Sequence, residues 1–173
     1  MDPKCAGPGA AADLGRGVAN EMANDYLSAN GSGNKPTPSE SDNLPSVKPK
    51  EQDRLDVQHA GMLLLRGGKL VVAPLEKEPE NVLDVATGTG IWALEYAREH
   101  PNSQVIGTDL SAIQPDPAAP NCTFIKDDAE DPWEFGDIRF DYIHLRFVVT
   151  CFDNHHGVLS QAFNHLEPGG WIE

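Results

Sequence analysis

Val82-Leu83-Asp84-Val85-Ala86-Thr87-Gly88-Thr89-Gly90 decides the fold. A short apolar run with a β-branched bias gives way to a glycine turn, and Ile91–His100 then carries a helical pattern that Pro101 stops. Strand, glycine turn and helix in that order are half of a βαβ unit. The same rhythm continues on both sides. Asn81–Ala86 is the first expected strand, Gln104–Asp109 the second, Thr123–Ile125 the third and Phe140–Leu145 the fourth. Upstream, Leu55, His59, Met62 and Leu63 fall on one face of a helix that Gly67-Gly68 ends. Downstream, Val158, Leu159, Ala162 and Leu166 mark another helical face. Pro168-Gly169-Gly170 then leads to a last strand, Trp171-Ile172-Glu173. Strands alternating with helices predict an α/β doubly wound, mostly parallel sheet with helices on both faces.

The rest of the composition narrows the class. A chain of 173 residues has room for one ordinary domain and buries roughly two thirds of its unfolded surface. With 39% hydrophobic residues and a mean hydropathy of −0.41, no stretch approaches the roughly 20 apolar residues of a membrane span. Met1-Asp2-Pro3-Lys4-Cys5 lacks the apolar run of a signal peptide. Cys5, Cys122 and Cys151 are too few and too scattered for a disulfide framework or a zinc site, so no metal is expected. An intracellular protein, cytoplasmic or nuclear, is the expectation. A net charge of −14 argues against binding nucleic acid or an anionic membrane. That charge sits in residues 51–173, which hold 8 basic and 21 acidic side chains, against 5 and 6 in residues 1–50. The first fifty, with six Gly and six Pro, read as a disordered tail with at most a short helix around Val18–Leu27. The folded domain is expected over residues 51–173.

The chemistry concentrates at the first turn. Its glycines allow close backbone approach to a ligand at the carboxyl end of strand one. Asp109, nineteen residues past Gly90, ends strand two, where a carboxylate can accept both hydroxyls of a ribose. Alone, a glycine turn is often just a turn, and such an Asp is usually a helix cap. In this order and spacing they point to a nucleoside. Gly88-Thr89-Gly90-Ile91-Trp92-Ala93 matches the dinucleotide pattern G-x-G-x-x-A, a weak signal by itself. Asp84 opposes it, since a carboxylate repels a pyrophosphate and attracts an ammonium. A ribose, an adenine and a cationic amino-acid end together describe S-adenosylmethionine.

These residues carry a resemblance. Leu83 to Ala93, then Val105-Ile106-Gly107-Thr108-Asp109-Leu110-Ser111, then Asp127-Asp128-Ala129-Glu130-Asp131-Pro132-Trp133 resemble a class I S-adenosylmethionine-dependent methyltransferase of the fungal LaeA-like branch. Phe140 to Arg146, Leu166 to Glu173, Arg54 to His59 and Gly67 to Leu70 are similar to its later strands and leading helix. The resemblance implies a Rossmann-like class I methyltransferase fold that binds S-adenosylmethionine. Asp84, Ala86 and Gly88 would line the methionine end, with Thr87 and Gly90 also among the cofactor-binding residues. Asp109 would hold the ribose, Leu110 would pack beside the adenine, Asp128 would reach the adenine amino group, and Ala129 would offer its backbone amide. His144 would be the candidate catalytic residue, with Arg146 beside it near the transferring methyl. Most of the seven acids within residues 127–141 read as a solvated acidic loop, and His155-His156 as residues flanking a helix.

Three departures accompany the match. Ala86 stands where the family usually has Gly. The Tyr- and Arg-rich segment before the leading helix has no counterpart in residues 1–50. The relatives also continue past strand five into pieces that build much of the acceptor pocket, so the fold is expected to be C-terminally incomplete. The implied function is methyl transfer to a small molecule in fungal secondary-metabolite biosynthesis. Two alternatives stay open: a non-catalytic regulator or interaction protein, and a methyltransferase-like scaffold for a cofactor-independent step. With Pro168 placed before it, the strand Trp171–Glu173 is expected to be an open edge, available for self-association or a protein partner.

Overall fold

The computed structural model describes residues 49–115 and 119–173. The expected tail and its short helix lie outside them. Helix α1 spans Pro49–Leu65, so Pro49 and Lys50 belong to the helix and not to the tail. Proline suits a first helical turn, where its missing N–H has no intrahelical partner. No helix among the described residues is long and apolar enough to cross a membrane.

Five strands follow: β1 Asn81–Val85, β2 Gln104–Asp109, β3 Cys122–Lys126, β4 Phe140–Leu145 and β5 Leu166–Ile172. They form one parallel sheet in the order β3-β2-β1-β4-β5. Helix α2, Ile91–Glu99, and helix α3, His155–His165, complete the unit. The expected doubly wound α/β architecture is present, and β2 and β4 have the expected bounds. The strand order reverses between β1 and β4, which opens a crevice at their carboxyl ends.

Alternation along the strands builds two cores. Val82, Val105 and Tyr142 pack with Trp92, Tyr96 and Leu94 of α2. Leu83, Val85, Phe140 and Ile143 point the other way, onto Val158 and Ala162 of α3. Trp92, at 1% exposure, is the largest of these; truncating such a side chain to Ala typically costs about 3–5 kcal/mol. Burial pushes the Cys122 thiol up to about 12, so it packs as a small apolar residue.

One detail differs from expectation. Strand β5 starts at Leu166, directly after α3, and Leu166 pairs with Phe140. Pro168-Gly169-Gly170 therefore lies within the strand, across a register shift between Phe140 and Tyr142. An edge strand tolerates this proline, because its outer side needs no ladder hydrogen bond. Asp141, by contrast, lies in β4 as expected, apart from the acidic loop before it. It accepts from the Glu80 and Asn81 amides at 3.0 Å each.

Glu173 ties distant segments together. One carboxylate oxygen pairs with Arg66 at 2.6 Å; the other accepts from the amides of Val72 and Ala73 at 2.9 Å and from the Tyr142 hydroxyl at 3.0 Å. Burial acts to raise its pKa, but the hydrogen bonds and Arg66 outweigh burial and hold it below 4.5. A depressed carboxylate pKa contributes stability above the unfolded value and loses it as pH falls through the folded value. Glu173→Gln should therefore destabilise the fold by about 1–3 kcal/mol at neutral pH. The gap from wild type should close as pH drops below 4.5, as followed by denaturant melts across pH.

The turn between β1 and α2 makes a second test. Ala86 has φ 54° and Gly90 φ 78°, both left-handed. A Cβ on Gly90 would lie 2.5 Å from Phe124 Cζ, so only glycine fits there. Ala86 bears the left-handed conformation at a cost of about 1–2 kcal/mol, partly offset by its smaller unfolded-state entropy. Ala86→Gly should stabilise the chain by up to about 1 kcal/mol, while Gly90→Ala destabilises it. Melting temperatures of the two variants check the contrast.

Candidate functional site

The carboxyl ends of β1 to β4 bring the expected residues to one rim of the sheet. Asp84 is 3% exposed, and the burial is compensated. Its Oδ1 lies 2.7 Å from His144 Nδ1, and its Oδ2 accepts from the Thr87 hydroxyl. Parallel pairing sets Asp84 directly opposite His144, so both side chains rise on the same face. His144, 2% exposed, stacks on Trp92 with ring centroids 3.8 Å apart, and its Nε2 has no hydrogen-bond partner. Thr87 thus supports Asp84 from within the turn.

Asp109 ends β2 with both carboxylate oxygens engaged by backbone. Oδ2 accepts from the Gly88 amide at 2.8 Å, and Oδ1 from the Ser111 amide at 2.9 Å. Burial raises its pKa, opposed by these two amides and reinforced by the charge of Asp84. Leu110, beside it, is 46% exposed at the rim. Gln114 crosses from the β2 loop to the turn, donating to the carbonyls of Gly88 at 2.6 Å and Ser111 at 2.9 Å. Under the rim lies Phe124 of β3. Cβ atoms built on Gly90 or Gly107 would collide with its ring, so both glycines are steric requirements.

Beyond β3, Asp128 accepts from the Glu130 amide at 2.9 Å. The Ala129 carbonyl accepts from Trp133 Nε1 at 2.9 Å and holds this loop on the α3 side. Asp127 and Asp128 are half-buried, while Glu130, Asp131, Glu134 and Asp137 are exposed. His155 and His156 open α3, which Asn154 caps through the Gly157 amide at 2.9 Å.

Helix α1 roofs this rim. Leu55 lies 3.5 Å from where a Gly88 Cβ would stand. Asp56 accepts from the Thr89 hydroxyl at 2.7 Å. Buried His59 bridges Glu95 of α2, at 2.8 Å from Nε2, and Arg146 just past β4, at 2.6 Å from Nδ1. Phe147, next to Arg146, has φ 61°. A bulky residue in that region is strained by about 1–2 kcal/mol, and such strain gathers at functional sites. Sequence reasoning assigned no site role to Asp56, His59, Glu95, Gln114, Trp92 or Phe124. Only the helical spacing of Leu55 and His59 hinted that this helix faces the turn.

Residues 58–173 match the model of a methyltransferase domain family. The secondary metabolism regulator LAE1 of Cochliobolus heterostrophus is 40% identical over 128 residues, which cover 71% of this chain and 42% of the relative. The methyltransferase pytC of Aspergillus terreus is 39% identical over 125 residues, covering 72% and 38%. The protein-methionine methyltransferase laeA of Emericella nidulans is 39% identical over 128 residues, covering 72% and 33%. The chain thus spans well under half the length of these relatives. In structure it is similar to DesVI of Streptomyces venezuelae, with a TM-score of 0.54 at 23% identity over 69% of this chain and 54% of that one. An O-methyltransferase family protein of Burkholderia thailandensis gives a TM-score of 0.53 at 16% identity, covering 93% and 51%. Sheet order, turn and sequence similarity converge: the chain belongs to the class I methyltransferase-domain family, in its LaeA-like branch.

Proposed function

We propose that this chain carries the cofactor-binding part of an S-adenosylmethionine-dependent methyltransferase acting on a small molecule of fungal secondary metabolism. The observation that carries the reading is the Asp109 carboxylate, pinned by the Gly88 and Ser111 amides at the end of β2. Each oxygen retains acceptor capacity for one hydroxyl of a ribose. The rest of the donor set suits the same ligand. Asp84 favours an ammonium end, Gly88 leaves its backbone open apart from Leu55, and Leu110 offers an apolar surface for a base.

When bound, the cofactor supplies a methyl group already activated on a sulfonium. The protein's task is then to orient reactants and exclude water. In this reading Ala86, Thr87, Gly88 and Gly90 cradle the amino-acid end, and Asp109 holds the ribose. Asp128 keeps one carboxylate oxygen for an adenine amino group, beside the Ala129 amide. His144 is the candidate base. Asp84 orients its Nδ1, and its unpartnered Nε2 is the atom that would receive a proton from an acceptor. Helix α1 shields the turn from solvent.

A second reading concerns the acceptor. One relative is named a protein-methionine methyltransferase and another a secondary metabolism regulator, which favours a protein acceptor or a regulatory role. Transfer of radiolabelled methyl to protein in place of an extractable metabolite would select that reading.

Asp109→Ala tests the shared part. The variant should bind S-adenosylhomocysteine more weakly by about 1.5–3 kcal/mol, the loss of charge-assisted hydrogen bonds, as measured by titration calorimetry. Wild-type affinity should also decline with acidification, as the ionised acceptor is lost. Because burial raises the Asp109 pKa above 3.8, the decline should begin at a higher pH than an exposed aspartate would give. Unchanged affinity in a folded Asp109→Ala variant would sink the ribose assignment.

A further inference from the structure

We propose that Arg146 and Asp84 form a charge clamp for a zwitterionic amino-acid group, with Arg146 taking the α-carboxylate of the cofactor's methionyl end. The proposal rests on the nucleoside reading above and moves Arg146 from the methyl-transfer region to the cofactor's far end. Its starting point is an imbalance. Arg146 is half-buried and carries five N–H donors. Among the described residues, one hydrogen bond engages it, to His59 Nδ1 at 2.6 Å, and no carboxylate forms an ion pair with it. Arg54 and Arg66, by contrast, are paired with Glu51 and Glu173. Removing a guanidinium from water without a counter-anion is costly.

The nearby anions hold other partners, although each Asp84 oxygen keeps a second acceptor site for an ammonium. Asp84 and Glu95 act on Arg146 through space, but Asp84 is bound to His144 and Thr87, and Glu95 to His59. The His59 contact also settles a tautomer. A guanidinium only donates, so Nδ1 must accept, and Nε2 must carry the proton given to Glu95. Neutral His59 therefore positions Arg146 without neutralising it.

Placement supplies the rest. Asp84 and His144 are register partners on β1 and β4, and Arg146 follows His144 by two residues. Pairing puts Asp84 and His144 on the α1 and α2 face, where Trp92 stacks on His144, and the His59 contact brings Arg146, just past β4, to the same face. One anion and one under-compensated cation thus flank the glycine turn. A free amino acid's ammonium and carboxylate need that pair of opposite charges, and a guanidinium matches a carboxylate with two parallel donors.

The test compares two ligands on the 173-residue chain by titration calorimetry. S-adenosylhomocysteine bears the amino-acid end; 5′-methylthioadenosine keeps the nucleoside and thioether but lacks it. Wild type should prefer S-adenosylhomocysteine by roughly tenfold or more, and Arg146→Gln should erase most of that preference while leaving methylthioadenosine affinity within about twofold. His59→Asn, which keeps an acceptor near the Nδ1 position, should retain the preference that His59→Leu reduces. That second pair carries the test if Arg146→Gln fails to fold in a thermal melt. Equal weakening of both ligands by Arg146→Gln would make the residue merely structural and overturn the clamp. So would equal affinity of wild type for the two ligands. If wild type bound neither, the nucleoside reading would fall and the clamp with it.

Discussion

A carboxylate buried in the middle of a parallel sheet is the constraint around which this molecule is arranged. Asp84 could not remain at 3% exposure as an uncompensated anion. Its compensation comes from two directions, His144 on the neighbouring strand and Thr87 in the turn above. The first requires β1 and β4 to pair in the observed register, because a one-residue slip would send His144 to the opposite face. The second requires the chain to fold back immediately after Val85, and Ala86 accepts a left-handed conformation to do so. Strand register and turn geometry therefore depend on one charge.

That dependence extends upward to α1. The helix has little apolar moment of its own: His59 is its one buried residue, and Leu64 and Leu65 are exposed. Leu63 packs against the α2-side core, and polar contacts supply the rest of the attachment. Asp56 holds the turn through Thr89, and His59 joins α2 to the end of β4. Buried polar contacts of this kind fix geometry more than they add stability. A helix held by them keeps its register over the rim and still has limited hydrophobic adhesion to it.

The fold was legible because its signals are local. A strand, a glycine turn and a helix lie within twenty residues, and alternation in β2 and β4 places their ends correctly. Asp109 was legible for the same reason, since its position at a strand end follows from counting. What escaped were contacts across long stretches of chain. Asp84 with His144 spans 60 residues, His59 with Arg146 spans 87, and Arg66 with Glu173 spans 107. Each joins charged or polar residues whose local sequence looks like ordinary helix surface or strand end. Gly107 shows a different gap. Its neighbours read as plain strand, and only the ring of Phe124 from β3 explains why a side chain is excluded there.

Pro168 shows how a local signal can also mislead. Proline followed by two glycines reads as a turn, and that reading moved the start of β5 five residues too late. The structure resolves the conflict through sheet position. On an interior strand Pro168 would break a ladder on one side or the other; on the edge its missing N–H can face outward. Gly169, at φ 87°, and the register shift beside it bend the same stretch. Edge strands are commonly protected by such interruptions. Past the shift, Trp171 and Ile172 pair regularly with Tyr142 and Ile143 of β4. Glu173 follows with its amide and carbonyl bonded inward to Ile143 and Leu145, and its side chain turned onto Arg66 and the loop at Val72 and Ala73.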